Sequence, residues 1–269
     1  EAREQHTQDV TDTAAQRVQP GRTEPVARGF VEYLGGPMGK FAQIGRAKFW
    51  TPLRTIFAVA YTFLFFGALS KSNCALGKAD ENGVLQLNWD GNRQYTSFCY
   101  NDIVPLYGAR GLDQPGFVYD YSWVEDGLTR YMEYPVLAGL FQGVASFISR
   151  NTYFLVDRVL PEVGWYFYVT VFILSVIWVA TVRMVAELAG NRIWDTLLVV
   201  GSPLLIMHSF TNWDIPSIFF AVAAIYAARN KKFWLAGVMI GLGTAFKMWP
   251  IFALGAYLVV ALRNRDLVP

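Results

Sequence analysis

Residues 163–182 read VGWYFYVTVFILSVIWVATV, twenty consecutive positions without a charge. A helix needs about 20 mainly apolar residues to cross ~30 Å of hydrocarbon, so this stretch predicts a membrane-spanning helix. Outward from it the pattern recurs. Residues 55–70 (TIFAVAYTFLFFGALS) lie between Arg54 and Lys71, and 196–213 form a third apolar run. Runs at 215–228, 233–246 and 248–262 are shorter and nearly abut. These need flanking residues, or local thinning of the bilayer, to span. A buried helix hairpin of a large soluble protein is the competing reading, but six runs, several with aromatic ends, argue against it. The expected fold is an all-α polytopic membrane protein, with spans at 53–70, 164–183, 194–211, 214–229, 232–247 and 249–263.

Composition agrees. The 269 residues are 54% hydrophobic, 16% aromatic and 16% charged, against roughly 25% charged in soluble domains. Mean hydropathy is +0.27. A disordered chain, a basic nucleic-acid-binding protein and a disulfide scaffold are excluded, and an ordinary soluble enzyme is disfavoured.

The net charge of +2 hides a segregation by sign. Lys40, Arg46, Lys48 and Arg54 precede the first run with no acid after Glu32. Segment 71–163 holds eleven acids and seven bases. Arg183 and Arg192, then Arg229, Lys231 and Lys232, then Arg263 and Arg265, mark later turns. With the spans above, every basic cluster falls on one side, which the positive-inside rule makes cytoplasmic. The acidic segment, the Asn212-Trp213-Asp214 turn and Lys247 fall outside. Counting 134–149 (YPVLAGLFQGVASFIS) as a span would reverse this order, so it reads as a helix lying on the outer surface or dipping partly into it.

Four regions follow: a cytoplasmic tail at 1–50, the first span at 51–70, an external loop at 71–163 with amphipathic helices, and a helix bundle at 164–269. Residues 1–30 are polar, with Pro20, Gly21 and Pro25, and read as largely disordered. Gly35-Gly36-Pro37-Met38-Gly39 reads as a hinge. The external loop carries the only cysteines, Cys74 and Cys99. On an oxidising face a disulfide is the natural reading, with two free buried thiols as the alternative. No histidine joins them, so no metal site is expected; His6 and His208 lie elsewhere.

The candidate chemistry lies on the external side. Asp102 opens an amphipathic stretch, where a helix start favours an ionised carboxylate. Such a group can act as a general base, or it can simply be an N-cap. Lys247 stands alone at a helix junction, where an ionisable group is a functional candidate. It suits a phosphate headgroup as a point charge, against a snorkelling lysine or a structural pair with Asp214. Glu133-Tyr134-Pro135 follows an aromatic, acidic run from Tyr119 to Asp126, a type of surface that contacts sugars. Asp120, Glu125 and Asp126 read as solvated or structural, with Arg130 as a partner. His208 reads as a buried core histidine, or as a substrate contact. Gly241-Leu242-Gly243 reads as close helix packing. There is no Walker or Rossmann fingerprint, so no nucleotide is expected.

Together these residues resemble a family. Asp102, Tyr107, Ala109 and Leu112, then Phe117 and Tyr119, then Tyr134-Pro135, resemble the first external loop of the GT-C membrane glycosyltransferases. The chain is most similar to glycosyltransferase family 87, the polyprenyl-phosphate-mannose-dependent mannosyltransferases of actinobacterial cell envelopes. Asn212-Trp213-Asp214 and the stretch from Thr244 to Pro250 also look like that family's hairpin motifs. The resemblance implies a multi-pass plasma-membrane enzyme with an external active site, a lipid-phosphate sugar as donor and no other cofactor. It implies Asp102 as catalytic base, Lys247 holding the donor phosphate, and Tyr107, Glu133, Tyr134, Trp213, Asp214 and His208 lining the site. Membrane lipids, the donor lipid and a membrane-protein partner are the partners expected. Two departures stand out. The family often has Tyr-Pro-Pro where this chain has Tyr134-Pro135-Val136. Its members also usually continue through several more helices, which leaves either a missing C-terminal half or a shortened relative. A non-catalytic membrane subunit of the same fold is the alternative function; a transporter has less support, for want of an inverted repeat.

Overall fold

The computed structural model describes residues 49–81, 85–86 and 88–264. The expected disordered tail, the Gly35–Gly39 hinge and the basic residues Lys40, Arg46 and Lys48 lie outside the described residues. Helix α1, Pro52–Ala75, starts where Thr51 Oγ1 accepts from the Arg54 N–H and proline occupies the first turn. That proline has no N–H to leave unpaired and is preset for helical φ. Its buried positions, Ile56, Ala60, Leu64, Gly67 and Lys71, recur at helical spacing on one face.

Segment 71–163 is not structureless. Two short antiparallel ladders form, β1 (Lys78–Ala79) with β2 (Leu85–Gln86), and β3 (Ser122–Glu125) with β4 (Leu128–Tyr131). Asp126 and Gly127 close the second at positive φ, as a two-residue hairpin turn requires. Short helices α2 (Arg93–Thr96) and α3 (Ile103–Ala109) lie between the ladders. Helix α4, Val136–Thr152, covers most of the ambiguous 134–149 run. It is amphipathic: Ala138, Gly139, Gln142, Ala145, Ser146 and Ser149 are buried, whereas Val136, Val144 and Phe147 are exposed.

Helix α5, Glu162–Ala189, is the central element. It packs on α1, α3 and α4, and Tyr166, Phe167, Leu174 and Val182 are its fully buried apolar residues. Gly164 is the closest approach: a side chain there would run into the Ala75 carbonyl at the end of α1. The 24 residues of α1 and the 28 of α5 extend ~36 and ~42 Å at ~1.5 Å per residue. Among the described residues these two helices are long and apolar enough to cross a membrane.

The third run departs from expectation. The single helix expected at 194–211 is instead a 3-10 segment, Gly190–Asp195, then α6 (Thr196–Val200) and α7 (Pro203–His208). Pro203 lacks an N–H and pushes Ser202 out of helical geometry. Ser202 then caps the new helix by accepting from the Leu204 N–H. Helices α8 (Ile215–Arg229) and α9 (Phe233–Phe246) form an antiparallel hairpin, turning at Lys231 with positive φ. A 3-10 turn, Trp249–Phe252, leads into α10 (Ala253–Asn264). Of the small-residue stripe, Gly243 does pack closely, against Phe220 and Pro250, whereas Gly241 faces open space.

Candidate functional site

The segment leading to Asp102 is tied down at each step. Cys74, near the end of α1, is joined to Cys99 by a disulfide, with Cα atoms 5.8 Å apart. The buried Lys71 ammonium donates to the Tyr100 carbonyl at 2.8 Å. Asn101 is fully buried; its Oδ1 accepts from the Val104 N–H at 2.9 Å and its Nδ2 donates to the Cys99 carbonyl. Asn101 thus does the capping of α3. Asp102 occupies the cap position but makes no side-chain cap bond. Its own N–H donates to the Thr211 carbonyl at 2.7 Å, joining the loop between α1 and α5 to the exit of α7.

Asp102 Oδ1 accepts from the Tyr100 hydroxyl at 2.7 Å. Oδ2 has no hydrogen-bond partner among the described residues. The simple N-cap reading of Asp102 therefore fails, because a neighbour supplies the cap and the carboxylate is left half free. Stabilising the charged acceptor costs the donor its acidity: Tyr100 is held above its usual range, first by this hydrogen bond.

Tyr134 lies at the centre of the site. Its ring meets Trp213 edge-on at 5.4 Å. Burial pushes its hydroxyl up to about 12, with Asp102, Glu133 and Asp214 adding to the effect and Arg110 opposing it. It stays neutral at physiological pH and can donate a hydrogen bond. Tyr119 holds its backbone, donating to the Tyr134 and Pro135 carbonyls at 2.9 and 3.0 Å. Glu133 is clasped by Arg110 through both oxygens at 2.8–2.9 Å. The Arg110 guanidinium lies 4.1 Å over the Trp123 ring. Arg130 pairs with Glu125 at 3.4 Å.

Lys247 ends α9, where the helix gives way to extended backbone. Its ammonium is ion-paired with Asp214, the residue at the start of α8. Both side chains are close to half exposed. The structural pair set against a phosphate role is therefore present. Asp214, His208 and Thr211 line a cleft of ≈ 540 Å³ that runs past Leu205 to Trp178. His208 is exposed on that cleft, which corrects its reading as a buried core histidine: it ends the short α7 instead of lying inside a continuous span.

Tyr107 also needs correction. It is buried, stacks on Tyr166 at 4.5 Å and donates to Glu162 at 2.9 Å. It anchors α3 to α5 and does not line an open site. Burial and the Glu162 bond hold its hydroxyl protonated. The structure thus gathers Asp102, Glu133, Tyr134, Trp213, Asp214 and Lys247 at one end of the bundle. Arg183, Glu187, Tyr226 and Arg229 meet at the other, where Glu187 accepts from Arg183 and Tyr226 and Arg229 donates to the last carbonyls of α5. Among the described residues no group of three His, Cys, Asp or Glu could hold a metal.

Tyr100, Asn101, Lys71 and Arg110 were not singled out from sequence. Only Asn101 carried a local signal, as a capping residue type three positions before Val104.

Residues 134–268, half of the chain, match the model of glycosyltransferase family 87. The chain belongs to glycosyltransferase family 87. Family membership and the two long apolar helices make it a membrane protein and a glycosyltransferase. No curated protein and no solved structure matches it. The family 87 match includes Tyr134, His208, Trp213, Asp214 and Lys247. It begins after Asp102 and Glu133, so those two rest on geometry.

Proposed function

We propose that this family 87 protein moves a sugar, mannose, from a polyprenyl-phosphate donor to a lipid or glycan acceptor of the cell envelope. The observation that carries this reading is the Asp102 carboxylate, fixed through one oxygen and open at the other, at the same end of the bundle as Tyr134, Asp214 and Lys247. Asp102 Oδ2 takes the proton of an acceptor hydroxyl. The acceptor oxygen attacks the anomeric carbon from the face opposite the phosphate. The carbon–oxygen bond to phosphate breaks, its electron pair leaves with the lipid phosphate, and configuration inverts.

Lys247 is the group to meet that phosphate. A half-exposed ion pair contributes only about 0–1 kcal/mol, so a phosphate can displace Asp214 from it. Neutral Tyr134, which feels both Asp102 and Asp214, supplies a hydrogen-bond donor. No cofactor beyond the donor lipid enters the reading. The chain crosses the plasma membrane several times. The end bearing Asp102 is external and the end bearing Arg183 and Arg229 is cytoplasmic, as the segregation of basic residues supports.

The direct test offers the purified protein a polyprenyl-phosphate mannose and, separately, a nucleotide mannose. Transfer from the lipid donor alone is expected. Transfer from the nucleotide sugar, or from neither, contradicts the proposal. The non-catalytic alternative has one observation in its favour, the Lys247–Asp214 pair, and predicts transfer from neither.

A further inference from the structure

The Asp102 carboxylate has two oxygens and one partner. Tyr100 Oη donates to Oδ1 at 2.7 Å. The Tyr100 ring is itself held flat against Tyr95, with centroids 5.7 Å apart and planes 11° from parallel. Its backbone is fixed on both sides, by Lys71 on its carbonyl and by the Cys74–Cys99 disulfide one residue earlier. The phenol therefore arrives at the carboxylate already oriented, although the ring is 41% exposed and buries little by being there. We propose that Tyr100 is the positioning residue of Asp102: its hydroxyl holds Oδ1 and turns Oδ2, the unpartnered oxygen, toward an acceptor hydroxyl.

This inference rests on the reading of Asp102 as the base. A hydrogen bond to the ionised form favours that form. The bond from Tyr100 is of this kind, and it fixes the orientation of the Asp102 carboxylate. Other charges and titratable groups face the same space. Tyr134 and the Glu133–Arg110 pair come from the approach to α4, the Asp214–Lys247 pair from α8 and α9, and Lys71 from α1. Of these, Tyr134 is neutral and the two pairs are internally compensated. Tyr100 is the group that touches the carboxylate.

The test measures kcat and KM of the protein in lipid vesicles, with farnesyl-phosphate mannose as probe donor and octyl mannoside as probe acceptor. Tyr100→Phe should lower kcat about tenfold at neutral pH with the donor KM unchanged. Tyr95→Phe keeps the stacked rings and should leave kcat near the wild-type value. A Tyr100→Phe enzyme with the wild-type kcat overturns the role of Tyr100 while leaving the base reading intact. An Asp102→Asn enzyme as fast as wild type overturns the base reading instead, and the inference with it. A measurement independent of turnover decides the matter equally. 3-Fluorotyrosine at position 100 should titrate, by 19F NMR, at higher pH with Asp102 present than in Asp102→Asn, because the hydrogen bond to the carboxylate raises the phenol, and the same titration in both proteins overturns the proposal.

Discussion

Asp214 and Lys247 form an ion pair that ties the start of α8 to the end of α9, 33 residues apart in sequence. The pair closes the end of the helix hairpin opposite Lys231. It also parks Lys247 against a carboxylate. Lys247→Ala should raise the donor KM about tenfold, near ~1.4 kcal/mol of lost binding. Because the pair is half exposed, the melting temperature should move little. Donor titration against thermal denaturation of the same variant separates the two. An unchanged donor KM would return Lys247 to a purely structural role.

The disulfide closes a loop with a sequence separation of 25. Chain-entropy arguments give about 3–4 kcal/mol for a loop of that size. Cys74→Ser or Cys99→Ser should therefore lower stability by a comparable amount, as should reduction of the wild type. Because Cys99 lies three residues before Asp102, kcat should fall as well. Melting curves with and without reductant check the first point, and single-turnover rates the second.

Gly139 allows Tyr119 to reach the carbonyls of Tyr134 and Pro135. Any side chain at 139 would collide with the Tyr119 hydroxyl. Gly139→Val should release Tyr134 from its position against Trp213 and reduce activity more than tenfold, in line with the cost of small misplacements. Tyr119→Phe, which loses the hydrogen bonds without the collision, should show a smaller defect. Equal activity of Gly139→Val and wild type would contradict the arrangement.

Tyr134 predicts an alkaline effect on stability. Its folded pKa of about 12 lies above the ordinary 10.0. The folded state therefore holds the proton more tightly than the unfolded chain. That contribution is full below pH 10 and is lost as pH rises toward about 12. Melting temperature should fall over that interval, and the fall should be shallower in Tyr134→Phe.

Much of the scaffold was readable in the sequence, because uncharged length is a strong signal. α1 and α5 lie where the runs at 55–70 and 163–182 put them, and the short runs became short helices. The break in the third run was also written there, as Gly201-Ser202-Pro203, but hydropathy alone passed over it. The site was less legible. Asp102 stood out by type and place, yet nothing local says that Asn101 takes the cap and frees it. The Arg110–Glu133 clasp joins residues 23 apart, and no periodicity reports such a pair. Tyr107 lies in a segment whose composition reads as external, and only packing against Tyr166 shows that it is core.

The central claim is that Asp102 is the general base. The most direct measurement is the single-turnover rate of mannose transfer by Asp102→Asn, at saturating lipid donor and with folding verified by an unchanged melting temperature. General-base catalysis contributes about 10²–10⁴ in rate, so a loss of that size with donor binding retained is the expected result. A variant that transfers mannose at the wild-type rate would contradict the account.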